Sequence, residues 1–334
     1  MRILITGNLG FIGPHVTKEL IKLGHDVVGV DLKLYPNAIC DQQFSLPQKQ
    51  FLKDYRSVND YELREIDAII HLAALSNDPL GRLRKHLTLD LNGYGVIDFA
   101  KRAKKNHVKK FVFASSCSVY GNGGDVPRIE SDETNPLTEY AQSKLIAEAG
   151  LLELSNDSFE TFSLRFATAY GASPVFRTDL VVNNLISSLH IQNRAYVKSD
   201  GTPWRPLINC VDMANILIQF AVTENLPSDK KIINAGFNED NYQIFDIVSL
   251  LKNVFKDCQI TIEGKGSPDP RSYQVDFNLL KCILPNFVKS FSLQQGIIQL
   301  KQFLQRINFN EFDFNNDRFS RVTELVNNKK YLNL

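Results

Sequence analysis

The chain opens on blocks of two alternating kinds. Short runs rich in β-branched and aliphatic residues, Arg2 to Thr6, Asp26 to Asp31, Gln50 to Lys53, Ala68 to Leu72, Lys110 to Ala114 and Phe159 to Phe166, have the length and apolarity of strands covered on both faces. Between most of them lie amphipathic segments of helical length, Phe11 to Leu23, His86 to Asn106 and Tyr140 to Ser155. This alternation predicts an α/β fold with a doubly wound parallel sheet. Lys231 to Ala235 is expected to return to that sheet as a late strand.

Beyond about residue 171 the rhythm changes to helices at Asp179 to Gln192, Val211 to Thr223, Ile244 to Phe255 and Leu293 to Arg306, joined by Gly/Pro-rich turns such as Ser267-Pro268-Asp269-Pro270. The change predicts a smaller, partly interleaved C-terminal substrate domain. Residues 1–170 with a return segment near 207–236 form the first domain, and 171–206 with 237–334 the second. The tail from Asn308 is polar and aromatic and follows neither pattern.

Composition narrows the partners. With 38 basic and 37 acidic residues the chain carries no excess field to draw nucleic acid or an anionic membrane, so an anionic ligand must be held by local design. The apolar run at Ile3 to Ile5 is too short for a signal peptide and no later stretch spans a bilayer, which predicts a cytoplasmic protein. Five scattered cysteines without a CxxC pair and six dispersed histidines predict no disulfide framework and no metal site.

The first candidate chemistry follows the first strand directly. In Gly7-Asn8-Leu9-Gly10-Phe11-Ile12-Gly13 one glycine allows a tight turn, the next a close backbone approach to a pyrophosphate, and the third close packing of helix on sheet. Asp31, at the end of the second strand, stands where a carboxylate accepts the hydroxyls of an adenosine ribose and repels a 2′-phosphate, which favours NAD over NADP. Asp54 at the end of the third strand is either an adenine contact or a turn residue.

The second candidate is Tyr140-Ala141-Gln142-Ser143-Lys144, whose tyrosine and lysine share one helical face. A tyrosine with an ordinary pKa near 10 must lose about three units to act as a base near neutrality. One ammonium at about 4 Å supplies roughly that at an effective dielectric of about 20. Upstream, Ser115-Ser116-Cys117-Ser118-Val119-Tyr120-Gly121 runs from a strand into a polar turn, where hydroxyls can hold a reacting oxygen.

Taken together, TGNLGFIG (Thr6 to Gly13), Asp31, Asp54, HLAA (His71 to Ala74), SSCSVYG (Ser115 to Gly121) and YAQSK (Tyr140 to Lys144) resemble the extended short-chain dehydrogenase/reductases, the NAD-dependent epimerase/dehydratase family. The resemblance spans nearly the whole chain. It implies a Rossmann sheet, an NAD cofactor, a nucleotide-diphosphate sugar as substrate and a homodimer joined through the helices around His86 to Asn106 and Tyr140 to Ser155. By position Ser116, Tyr140 and Lys144 match the catalytic set, and Asn92 matches an asparagine that supports the lysine. Gly7, Leu9, Gly10, Phe11, Ile12, Gly13, Asp31, Asp54, Leu72, Ala73, Ala74, Asn92, Tyr140 and Lys144 are the cofactor contacts it implies.

The substrate contacts implied are Ser76, Ser116, Cys117, Ser118, Thr168, Asn183, Asn184, Arg205 and Arg271, with the two arginines suited to a diphosphate. Thr168 stands where the family more often has asparagine. Trp204 is a stacking platform or a core residue, and His71 a packed strand-end residue. The family's shared first step is a hydride passing from a sugar carbon to NAD while the tyrosine takes the hydroxyl proton. Where dehydratases of the family carry Asp-Glu after the catalytic hydroxyl residue, this chain has Cys117-Ser118, which disfavours loss of water. The expected function is therefore an epimerase acting through a transient 4-keto sugar. A 4-dehydrogenase or 4-ketoreductase releasing its product stands as the alternative, and a non-catalytic NAD sensor on the same fold ranks behind both.

Overall fold

The computed structural model describes residues 1–41, 44–76, 84–124, 126–264 and 271–321. The turn from Ser267 to Pro270 and the tail from residue 322 onward lie outside the described residues. Six early strands, β1 (Arg2–Thr6), β2 (Asp26–Asp31), β3 (Lys49–Leu52), β4 (Ala68–His71), β5 (Lys110–Ser116) and β6 (Glu160–Phe166), lie within a few residues of the runs that predict them. Strands β7 (Thr168–Tyr170), β8 (Arg194–Val197) and β9 (Trp204–Asn209) follow, and then β10 (Ile232–Ala235), β11 (Asn241–Gln243) and β12 (Gln259–Ile262).

Seven strands form one parallel sheet in the order β10-β6-β5-β4-β1-β2-β3. The strand order reverses between β1 and β4, so a crevice opens at their carboxyl ends. Successive residues of each strand feed opposite layers, as a two-residue repeat requires. Ile3, Ile5 and Ile70 face helices α1 (Gly13–Lys22) and α7 (Cys210–Val222). On the other face, Leu4, Ile69 and Phe111 meet α4 (Gly95–Lys105) and α5 (Glu139–Leu154). The short helices α2 (Asp60–Leu63) and α3 (Lys85–Leu89) flank this second layer.

The segment His86 to Asn106, expected as one helix, is one unbroken helical run made of α3, a π-helical turn at Asp90–Tyr94 and α4. The Leu91 carbonyl within that turn accepts a hydrogen bond from the Tyr55 hydroxyl. One extra residue in the turn also carries Asn92 inward, where it is fully buried.

The remaining elements are α6 (Val181–Gln192), α8 (Ile244–Val254), α9 (Asn278–Ile283), α10 (Leu293–Arg306) and α11 (Glu311–Asn315), with the five small strands β7, β8, β9, β11 and β12. β7, β9 and β11 form a three-stranded sheet and β8 pairs with β12. These strands have no counterpart in the predicted elements, because runs of three to six residues with mixed polarity carry no readable period. A second core gathers Val182, Ile186, Leu207, Ile247, Leu251, Ile297 and Leu300 around Phe176, whose ring meets Phe303, Phe309 and Phe319 at centroid distances of 5.6, 5.9 and 5.8 Å.

Phe176 is fully buried between the loop after β7 and the C-terminal segment, so Phe176→Ala should lower the unfolding free energy by about 3–5 kcal/mol. Denaturant unfolding followed by circular dichroism measures this, and a loss under about 1 kcal/mol would show that the second core does not depend on this aromatic cluster.

Candidate functional site

A cleft of about 810 Å³ runs along the carboxyl edge of the main sheet and under the second core, within the usual size of ligand sites. At one end it is floored by the glycine loop. Gly7 has φ +74°, and a Cβ there would lie 2.7 Å from the Ala73 nitrogen, so β1 turns against the end of β4 only as glycine. At Gly13 a Cβ would lie 2.4 Å from the Asn8 carbonyl oxygen, so the helix start folds tightly over the loop. Helix α1 begins with no side-chain cap and no acidic residue in its first turn, leaving its N–H groups and dipole to an anion.

Asp31 accepts hydrogen bonds from the backbone N–H of Leu9 at 3.0 Å and of Lys33 at 2.7 Å. Burial raises its pKa, with those two bonds opposing the rise, and its remaining lone pairs are available to ribose hydroxyls. Asp54 lines the same end, capped onto Arg56 by an N–H···O bond at 2.8 Å and an ion pair at 2.8 Å. Leu9, Gly10, Phe11, Ile12, Leu72, Ala73 and Ala74 line the wall between Asp31 and the sheet's centre. The residues present therefore fit a dinucleotide.

At the other end stands the polar edge of β5 and the first turns of α5. Thr138 caps α5, its hydroxyl accepting from the Ala141 N–H at 3.2 Å, which fixes the helix start two residues before Tyr140. Tyr140, Lys144, Ser115, Ser116 and Ser118 all line the cleft. The Lys144 ammonium donates to the Ala114 carbonyl at 2.7 Å and lies 4.4 Å from the Phe113 ring centroid and 5.4 Å from that of Tyr140. Burial pulls its pKa from 10.5 to about 7, against the Glu148 carboxylate one turn later, which raises it. Both protonation states of Lys144 are thus accessible near neutrality.

Beneath this pair a buried network fixes β5, α5 and β6 together. Glu148 receives Arg165 Nε at 3.1 Å and Nη2 at 2.8 Å, and the Ser115 hydroxyl donates to the same carboxylate. Arg165 also donates to the Tyr120 hydroxyl at 3.0 Å, and Tyr120 donates to the Asn234 amide oxygen at 2.7 Å. Every polar group here has a partner, the condition under which a buried ion pair is tolerated.

Other predicted residues fall in several places. Ser116 accepts from the Ser118 N–H at 3.2 Å, while the Ser118 hydroxyl is buried in the cleft wall with no hydrogen-bond partner among the described residues. Ser76, Thr168, Asn184, Arg205 and Arg271 line the cleft. Arg205 donates to the carbonyls of Trp204, at 2.8 Å, and of Arg271, so the two arginines arrive at the cleft as a unit.

No direct hydrogen bond joins the Asn92 side chain to the Lys144 ammonium, which bonds the Ala114 carbonyl. The Asn92 amide accepts from the Leu75 N–H at 2.9 Å and donates to the Leu75 carbonyl at 3.1 Å, pinning the strand end after β4. Cys117 is turned into the sheet, donating to the Arg165 carbonyl at 2.9 Å with its thiol pKa pushed up by burial. Asn183 lies behind the cleft and bonds the Gly171 N–H at 2.9 Å. Trp204 stands outside the lining. His71, whose ring stacks on Phe111 at 5.7 Å, is held neutral by burial and by the Lys144 charge, with its pKa pulled down to about 3.

The sequence reading misses Tyr35, Arg177, Asp179 and Arg321, all of which line the cleft. Arg177 and Asp179 form a buried two-pronged pair at 2.9 and 2.8 Å, and Arg177 also donates to the Ser76 hydroxyl at 3.1 Å. A charged pair two residues apart, just before a helix in an otherwise apolar loop, is the signal that points to them. Among the described residues no cluster of side chains has the makings of a metal site, and no helix is long and apolar enough to cross a membrane.

A glycine-floored cleft at a strand-order reversal, with a tyrosine and lysine on one helical face at its far end, is that of an NAD-dependent enzyme. The chain belongs to the NAD dependent epimerase/dehydratase family, whose model it matches over residues 3–236. It is 30% identical over 239 residues to the probable UDP-glucuronate 4-epimerase of Rhizobium meliloti (strain 1021), covering 66% of this chain and 68% of that relative. To the UDP-glucose 4-epimerase of Lactobacillus helveticus it is 25% identical over 303 residues, covering 85% and 91%. Among solved structures, MoeE5 in complex with UDP-glucuronic acid and NAD superposes with a TM-score of 0.77 at 26% identity, over 92% of this chain and 99% of that one.

The two hydrophobic cores are joined beside the glycine-loop end of the cleft. His15 of α1 meets the Ala172 carbonyl at 3.0 Å, and the Ser173 hydroxyl donates to the Phe11 carbonyl at 2.6 Å. Burial lowers the His15 pKa from 6.5 to about 4, so the unfolded chain binds this proton first as the pH falls. The contribution of neutral His15 is complete above pH 6.5 and is lost toward pH 4. In His15→Gln the unfolding free energy should fall less steeply between those values, by up to about 1.4 kcal/mol per pH unit. Urea midpoints across that range measure it; parallel slopes for both proteins would mean that His15 titrates normally in the fold.

Proposed function

We propose that this chain is an NAD-dependent 4-epimerase of a nucleoside-diphosphate sugar, cytoplasmic and acting as a homodimer. The observation that carries the reading is the shared lining of one cleft by the glycine loop, by Ser116, Tyr140 and Lys144, and by the Arg205–Arg271 unit. NAD, when bound, supplies the acceptor for the hydride leaving the sugar carbon and returns it. Tyr140 takes the hydroxyl proton, with Lys144 beside it to stabilise the phenolate, and the Ser116 hydroxyl holds the reacting oxygen. The unpartnered Ser118 hydroxyl at the same edge suits a sugar hydroxyl, since a buried polar group left alone costs about 1–3 kcal/mol.

Epimerisation rather than loss of water is supported by the acids in the cleft. Among the described lining residues the carboxylates are Asp31, Asp54 and Asp179; the first two belong to the cofactor end and the third is tied to Arg177. None is free beside Tyr140 to remove a second proton. Relatives named for UDP-glucuronate and UDP-glucose support uridine diphosphate as the carrier and a hexose or hexuronic acid as the sugar. The dimer reading rests on Tyr94, on the π-helical turn, and on Leu152 of α5, which are 56% and 50% exposed on the two mutually packed helical segments.

The test incubates the purified protein with UDP-glucose, UDP-glucuronate and their amino-sugar counterparts while following product configuration by NMR and reduced nicotinamide by absorbance. Inversion at C4 without net reduction is expected; a released keto product with stoichiometric reduction would make the protein a dehydrogenase. Tyr140→Phe should lower turnover by about 10²- to 10⁴-fold and leave NAD affinity within about twofold of wild type. Retained turnover would remove Tyr140 from the role of base. Elution of the native protein as a monomer from a calibrated column would remove the dimer.

A further inference from the structure

The chain's last described segment crosses from the second core to the cofactor end of the cleft. Phe319 is 1% exposed among Phe176 and Phe309, and its carbonyl accepts from the Thr178 N–H at 3.0 Å. Its neighbour Arg318 donates to the Ile39 carbonyl at 3.0 Å and to that of Asn37, and pairs with Asp313 at 3.1 Å. Two adjacent residues thus hold the loop that follows Asp31 and the loop that carries Arg177 and Asp179. Two positions further on, Arg321 turns into the cleft, 4% exposed, with its guanidinium 3.7 Å from the ring centroid of Tyr35. Its charge acts on the carboxylates of both Asp31 and Asp179.

We infer that Arg321 is a cofactor-binding residue, delivered by the C-terminal segment to the phosphates of the adenosine half of the dinucleotide. Charge balance supports this. Asp179 is paired with Arg177, and beside the Asp31 carboxyl a diphosphate would meet Arg321 as a cation together with the α1 dipole. Arg321 adds a positive charge to the lining beside Asp31 and Tyr35. Stacking on Tyr35 orients the guanidinium within the lining. A reaction that must return a hydride to the same sugar needs its cofactor retained through the cycle, and an arginine brought from the chain's far end adds to that retention. The inference rests on the NAD-dependent reading of this cleft.

Titration calorimetry of the full chain with ADP, NAD and UDP tests it without turnover. Arg321→Ala should weaken ADP and NAD by about tenfold or more, the scale of losing one or two hydrogen bonds to a charged group, with UDP unchanged. Affinities for ADP and NAD within about twofold of wild type, or an equal loss for UDP, would overturn the assignment. Should that variant not fold, hydrogen exchange on the native protein decides: amides of residues 317–321 should slow on adding ADP and not on adding UDP, and unchanged exchange with ADP would overturn it. Failure here leaves the sugar reaction standing, whereas a protein that binds NAD through Arg321 yet converts no nucleotide sugar would sink the reaction alone.

Discussion

The burial of one ammonium group organises this molecule's chemistry. Lys144 is withdrawn from water onto the Ala114 carbonyl and the Phe113 ring, and burial of a cation is tolerable only where its surroundings answer it. Glu148, one turn along α5, is that answer, but a carboxylate there would itself be stranded without Arg165, and Arg165 in turn is shared with Tyr120. The catalytic helix, the edge of β5 and the edge of β6 are therefore one electrostatic unit. Tyr140 acquires its position from that unit, not from local helix geometry alone.

The cofactor end obeys a different constraint, one of space. Backbone contacts at Gly7 and Gly13 leave no room for a side chain, and the uncapped start of α1 leaves its N–H groups for an anion. The two ends meet because the strand order reverses between β1 and β4, which places both at the carboxyl edge of a single sheet. The segment after β7 joins the first core through short contacts at the seam, His15 with Ala172 and Ser173 with Phe11.

Much of this arrangement is legible in the amino-acid sequence, and what is not has physical causes. Long apolar strands such as Lys110–Ser116 show themselves because both faces are buried and every position must be apolar or small. The three-residue strands Thr168–Tyr170 and Asn241–Gln243 owe their existence to tertiary pairing and leave no period behind. Motif residues that reach the cleft through local geometry, the glycine loop from Gly7 and Tyr140 with Lys144, are readable by spacing. The π-helical turn that aims Asn92 at Leu75 leaves no mark in the residue spacing, and Arg321 is missed because nothing local in a polar tail shows that it folds back over the cleft.

The edge strand β10 has a consequence for biosynthesis. Ile232–Ala235 completes the sheet by pairing with Ser163 to Phe166, yet about sixty-five residues are translated between them. While the chain emerges from the ribosome, the outer edge of β6 is a row of unsatisfied amides and carbonyls, open to the wrong strand. At a translation speed of about 5–20 residues per second that exposure lasts several seconds.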